Sequence, residues 1–482
     1  MARRTAATRQ GRGSPLLWVV AGALGVAVVV VVVLLLTAGE TINPFGYQAG
    51  KRAQFEARAA EGESHLLYAN SPGGVQASAR RVAALNAPIQ AAATAAHVDP
   101  GLLEAMIFLE SGGRPDVVAG PDASAAAGVA QIVAETGRSL LAMHIDLRAS
   151  RRLTKQIAAA QKRHDTAAVA RLQAQRRRAD DRFDPNKAIA AMGRYLAFAA
   201  PRFGRSDFAV ASYHMGVGNL ADAIRGYVGP KEKQLAVKIV RQRKLTYAQL
   251  YFDSSPFRHQ TAYRQLADLG DNSNTYYWRV LAARDIMRLY RQNPTELDRI
   301  SRLETGYGSA EAVLRPPGST PVFANSAAVK RALDRGQLVK VPNQPKQRHF
   351  TLDPAAAAQP ALRPQTLAAL YYLADRVHDI SKGKGALAVA ATVRDGVAQQ
   401  ALVARHLAKP GYAVATTGYS FDIARRYASQ AQAEAFQAML DRLQALDVIA
   451  WERRPDVIHV TASEHAKPLT PLLHGASLSG DS

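Results

Sequence analysis

Hydrophobic and polar positions follow three different rhythms along the 482-residue chain. Residues 15–39, PLLWVVAGALGVAVVVVVVLLLTAG, run apolar without a charge for about the twenty residues that a helix needs to cross a bilayer. From Ala79 to about Tyr290 the apolar positions return at helical spacing, and Asp99-Pro100 and Asp184-Pro185 read as N-caps followed by proline at the first helical position. From residue 364 the period alternates. An amphipathic helix over Gln365–Ile380 is followed by the strand-like ALAVAATVRD and GYSFDIARRY, a helix over Gln430–Ala445, and VIAWERRPDVIHVTA. These rhythms predict an N-terminal transmembrane helix (15–39), an all-α domain (79–315) and a C-terminal α+β domain (364–468). Residues 40–78 read as a linker with one short helix, the Pro- and Gly-rich 316–363 as a connector, and 469–482 as a tail. Inside the all-α domain, residues 148–182 form a basic helical insert, a hairpin whose charges read as a solvated face.

Charge gives the chain an orientation. Arg3, Arg4, Arg9 and Arg12 precede the apolar run with no acid among them, while Glu40 follows it, so the basic tail 1–14 stays in the cytoplasm and the domains face outward. A cleaved signal peptide is the competing reading, but its apolar core is shorter, about 7–15 residues. The expected location is the bacterial cytoplasmic membrane, as a single-pass protein with its domains on the outer or periplasmic side. A formal charge of +22 draws the protein to polyanions, and an outward location favours the wall or membrane face over nucleic acid. With no cysteine, disulfides, thiolate metal sites and thiol nucleophiles are excluded.

FLESGGRPDVVAG (108–120) ends an apolar helix with a glutamate. Leu103, Met106, Ile107 and Glu110 share one helical face, so Glu110 lies on the apolar side, where desolvation raises its pKa and suits it to general-acid work. Gly112 and Gly113 end that helix and are expected to leave room for a substrate. Gly128 in AAAGVAQIVAETG is expected to open a second short helix, and the Gln131 amide can both donate to and accept from sugar hydroxyls. DFAVASYHMGVGNLADAI places Tyr213 before the glycine turn 216–218. Asp116 and Asp122 read as loop residues.

E-S-G, G-x-x-Q-I and A-x-Y-x-x-G-x-G, with FDPNKAIAAMGRYL before the last and NTYYWRVLAARDIM after it, together resemble the catalytic domain of soluble lytic transglycosylases with the lysozyme-like fold. The resemblance runs from about Leu85 to Tyr290. It implies that Glu110 is the sole catalytic acid/base and that Ser111 supports the N-acetyl group or the sugar at the cleavage point. It further implies that Gln131 binds saccharide, that Tyr213 hydrogen-bonds and orients Glu110, and that Tyr276 stands at the far wall of the cleft. His214 and Met215 depart from the family's Asn and Ala. The implied partner is the peptidoglycan glycan strand, cleaved between N-acetylmuramic acid and N-acetylglucosamine with a 1,6-anhydro end as product and no cofactor. A hydrolytic muramidase and a non-catalytic wall-binding scaffold are the alternatives.

VATTGYSFDIARRY and VIHV resemble the zinc D-alanyl-D-alanine carboxypeptidases, whose ligands come from H-x-x-G-x-x-x-D and a later E-x-x-H. Gly418, Asp422 and His459 fall in place, and Arg394 matches an arginine that the family uses near its substrate. Ala415 stands where the first histidine belongs, and Asp456 replaces the glutamate. Catalytic zinc is held by three protein ligands, so the expectation is a domain without metal that grips wall peptides or contacts the first domain. A hydrolase that recruits His378 or His406 as third ligand is the alternative.

Overall fold

The computed structural model describes residues 41–270, 272–343 and 348–478; the expected cytoplasmic tail and membrane anchor lie outside them. Among the described residues no helix is long and apolar enough to cross a membrane. The helices that build the first domain's site are α1 (Arg52–Asn70), α2 (Val75–Ala83), α3 (Pro100–Ser111), α4 (Leu147–Lys162), α5 (Thr166–Ala179), α6 (Pro185–Phe203), α7 (Ser206–Met215) and α8 (Tyr276–Gln292). Both Asp-Pro signals work as caps. Asp99 accepts the Gly101 N–H at 2.8 Å to open α3, and Asp184 accepts the Lys187 N–H at 3.1 Å to open α6.

The segment expected as a linker is part of this core. α1 buries Phe55, Ala59, Ala60, Leu67 and Tyr68 and packs along α8. Its inner face also carries Glu63, which breaks the apolar rhythm and hides the helix from a pattern reading.

The C-terminal domain follows the predicted alternation. Strands β1 (Phe350–Leu352), β2 (Leu387–Ala391), β3 (Ser420–Ala424), β4 (Ile449–Arg453) and β5 (Val457–Ala462) lie in the order β1-β2-β3-β5-β4. β1 and β2 are parallel and all other neighbours are antiparallel. Helices α10 (Pro364–Ile380) and α11 (Gln430–Ala445) pack on the sheet, and a short α9 (Ala310–Leu314) lies against β4 and β5.

The connector and the tail are both built into this domain. β1 comes from the connector, as does the Val339–Lys340 strand that pairs with Ala361–Leu362. Residues 464–474 form a 3₁₀ helix that buries Ala466, Leu469 and Leu472 against α10. Short strands and a proline-containing 3₁₀ helix leave too few repeats for periodicity to register. The two domains share a continuous apolar core. Phe45 meets Tyr372 edge-on at 5.6 Å, and Arg442 of α11 donates to the Ser254 carbonyl at 3.2 Å.

Candidate active site

Glu110 is the last residue but one of α3, which Gly112 ends in the left-handed conformation (φ 59°). The glycines make room for protein instead of substrate. A Cβ on Gly113 would stand 2.8 Å from the Arg81 Cβ and the Val82 nitrogen of α2, and the Arg81 Nε donates to the Gly112 carbonyl at 2.8 Å. The end of the acid-bearing helix is therefore clamped by its neighbour.

Glu110 is half-buried, and desolvation pushes its carboxyl up to about 7. Two groups restrain that rise. The Tyr276 hydroxyl donates to Oε1 at 2.7 Å, and the Arg279 guanidinium favours the charged form from one turn further along α8. Tyr276, expected at the far wall, is the residue that touches the acid. Tyr213, expected in that role, donates instead to the Ala130 carbonyl at 2.7 Å. The two rings stack at 6.5 Å with 23° between planes, and burial raises both phenols well above their ordinary value, so both remain donors. His214 stacks on the Tyr276 ring at 5.2 Å and its Nδ1 lies 2.7 Å from the Ser273 hydroxyl, while Met215 is buried.

Because the Tyr276 bond favours the carboxylate, Tyr276→Phe raises the pKa of Glu110. We expect the alkaline limb of the pH–rate profile to move upward while affinity for the glycan changes little; an unmoved limb with reduced turnover would leave Tyr276 a purely structural role.

The remaining predicted residues converge on one loop. Gly128, Val129 and Ala130 each present a carbonyl to one of them: Gln131 Nε2 at 2.8 Å, Ser111 Oγ at 2.8 Å and the Tyr213 hydroxyl. Ser111 is buried, and its hydroxyl donates to the Val129 carbonyl and accepts from the Gly113 N–H at 3.2 Å, so it supports the loop. Gln131 uses its donor side on Gly128 and Val117, which leaves Oε1 as the part of its amide that can still accept. Gly128 does not start a helix. It sits at φ 79° in the tight turn that the Ala127–Ile132 bridge closes, and a Cβ there would fall 1.7 Å from the Arg182 carbonyl oxygen.

Arg182 and Asp180 were not singled out from the sequence. They form an ion pair at 2.7 Å with both side chains fully buried, and the same guanidinium donates to the Ala123 and Ala125 carbonyls at 2.7 and 2.8 Å. The pair fastens the loop to the start of α6. An Asp-x-Arg one residue ahead of an Asp-Pro cap was the available signal.

Asp116 and Asp122 are engaged elsewhere, and Glu63 is buried beside the same Arg279. Asp116 pairs with the buried Arg176 at 2.7 Å and accepts from Gln173 at 3.1 Å. Asp122 caps Ser124 in an exposed turn, and Glu63 lies 3.8 Å from the Arg279 Nε.

In the C-terminal domain, strand register places Asp422 opposite His459. His459 Nδ1 lies 2.5 Å from Asp422 Oδ1, its Nε2 lies 2.8 Å from Glu311 Oε2 of α9, and Arg394 holds the other Asp422 oxygen at 2.8 Å. The two carboxylates raise the pKa of His459, and the histidine lowers theirs. Each ring nitrogen is already in hydrogen-bond contact with a carboxylate, on opposite edges of the ring, so neither faces an open position that a metal could share with a second ligand. Ala415 offers no donor, and the Asp456 backbone merely accepts from the Arg425 N–H. His378 stacks on His349 at 3.4 Å, and His406 is exposed at a helix end. These residues do not fit a zinc ion. Glu311, absent from the sequence reading, supplies the missing partner of His459 and borders a cavity of about 190 Å³ with Trp451 and Thr461.

Residues 87–236 match the Transglycosylase SLT domain family. No curated protein matches the chain. The matched stretch contains Glu110, Gln131 and Tyr213 and ends before Tyr276. The helical domain is a lysozyme-like domain of the lytic transglycosylase type, and its substrate class is peptidoglycan.

Proposed function

We propose that this chain is a membrane-anchored peptidoglycan lytic transglycosylase that cleaves the β-1,4 bond between N-acetylmuramic acid and N-acetylglucosamine and leaves a 1,6-anhydro end. The observation that carries the reading is one carboxyl poised near neutrality at about 7, with Asp116 and Asp122 bound to other partners and Glu63 buried beside Arg279. A glycosidase that uses water or a covalent intermediate needs a second carboxylate; a lytic transglycosylase does not.

Glu110 in its acid form protonates the bridging oxygen as the bond to C1 breaks. The resulting carboxylate takes the proton from the sugar's own 6-hydroxyl as that oxygen bonds to C1, which returns Glu110 to its starting state. Tyr276 keeps Oε1 in place through both transfers. The apolar segment 15–39 tethers the catalytic domain to the outer face of the cytoplasmic membrane. The C-terminal domain is a metal-free partner packed on the helical domain.

Mass spectrometry of muropeptides released from purified wall tests the reaction. Anhydro-muramic ends are the expected product. A predominance of reducing ends would replace this mechanism with a hydrolytic one.

A further inference from the structure

Helices α4 and α5 form the hairpin that interrupts the catalytic domain, and residues 147–179 carry ten Lys and Arg against one Asp. Arg148, Arg152, Lys155, Lys162, Arg163 and Arg171 are exposed and make no ion pair with a described residue, whereas the neighbouring Arg151 reaches Asp122 at 3.4 Å. The hairpin is nevertheless not a loose solvated appendage. Arg176 is buried over the Phe183 ring at 3.7 Å while it holds Asp116, and Ser150 donates to Asp180 at 2.7 Å. Asp116 lies in the loop that carries Ala130 and Gln131, and the Asp180–Arg182 pair fastens that loop, so the outer cations are tied to the side of the molecule that holds the site.

We propose that this hairpin is an electrostatic arm that binds the carboxylates of the wall's stem peptides and holds the glycan strand in register with Glu110. The assignment rests on the peptidoglycan reading given above. Stem peptides project acidic groups at intervals along the strand, and several weak, screened contacts to one polymer act as a multivalent clamp. The arm's composition argues against the other polyanions. A surface that inserts into lipid places large apolar side chains between its cations, and none of the exposed large hydrophobic residues among the described ones lies on the arm. A surface for single-stranded nucleic acid interleaves aromatic rings, and residues 147–179 contain no Phe, Tyr or Trp.

The test uses the full chain in detergent with Glu110→Gln, so that the wall stays intact, and compares it with the same chain carrying R152Q, K155Q, K162Q and R171Q. Purified sacculi are the probe, native or with their carboxylates converted to amides. Four exposed contacts predict about a tenfold loss of sacculus binding at moderate ionic strength in the substituted chain. They also predict the same loss for the parent on amidated sacculi and no further loss when both changes are combined. The amidation arm uses an arm with native sequence, so it stands even if the substituted chain folds poorly. Unchanged binding in both comparisons overturns the arm. So does a defect confined to vesicles of anionic phospholipid, which would make the hairpin a membrane contact. Cleavage of wall by the R152Q/K155Q/K162Q/R171Q chain with Glu110 intact separates the two claims: anhydro ends with unaltered sacculus binding would remove the arm and keep the enzyme.

Discussion

Glu110→Gln removes glycan cleavage and leaves the chain folded and bound to wall. The amide keeps the shape of the protonated acid and can still accept the Tyr276 hydrogen bond, but it can neither give a proton to the bridging oxygen nor take one from the 6-hydroxyl. General acid–base groups contribute roughly 10²–10⁴-fold to turnover, and here one group serves both transfers, so the loss belongs at the upper end of that range. Residual cleavage above a few per cent would mean that another residue carries the proton.

The same substitution has a second readout of opposite sign. The Glu110 carboxyl ionises at about 7 in the folded chain and near 4.5 when solvated. Below 4.5 both states hold the proton and there is no penalty. Between 4.5 and 7 the unfolded chain ionises first, so stability falls as pH rises, and above 7 the full cost is present. A shift of this size corresponds to about 3 kcal/mol. Glu110→Gln therefore melts higher than the parent at pH 8 and alongside it near pH 4. Equal melting at both would mean that the acid is not desolvated.

What the sequence revealed and what it hid divide along physical lines. Asp-Pro caps act through bonds to residues two or three positions away, so Asp99 and Asp184 could be read directly, and α11 begins and ends at Gln430 and Ala445 as its periodicity predicts. The acid was legible because its apolar neighbours are on its own helix. The tyrosines were not. Tyr213 and Tyr276 lie on different helices with their rings stacked, and which hydroxyl reaches Glu110 depends on how α7 and α8 meet. Contacts at long sequence separation escaped altogether: Glu311 meets His459 across 148 positions, and Arg182 ties a loop more than 50 residues before it. Glycines marked turns correctly but not their purpose, since Gly113 admits α2 and Gly128 admits the Arg182 backbone.

Arg182→Met is expected to be the most destabilising single change in the catalytic domain. It deletes a guanidinium on a side chain with no access to solvent and strands Asp180, equally buried, with only the Ser150 hydroxyl as a remaining side-chain donor. Removing one partner of a buried ion pair costs about 3–5 kcal/mol, because the charge left behind is neither solvated nor paired. The Ala123 and Ala125 carbonyls lose their donor as well, and the 128–131 turn, which holds Ser111, Gln131 and Tyr213 around the acid, loses its anchor. Cleavage should fall with stability even at temperatures where the chain remains folded. The combined Asp180→Asn, Arg182→Met chain should be more stable than Arg182→Met alone, since the amide no longer buries a charge, and urea titrations of the four chains in the cycle measure that coupling. If Arg182→Met unfolds at the parent's midpoint and cleaves at the parent's rate, the buried pair is not what holds the loop against Glu110.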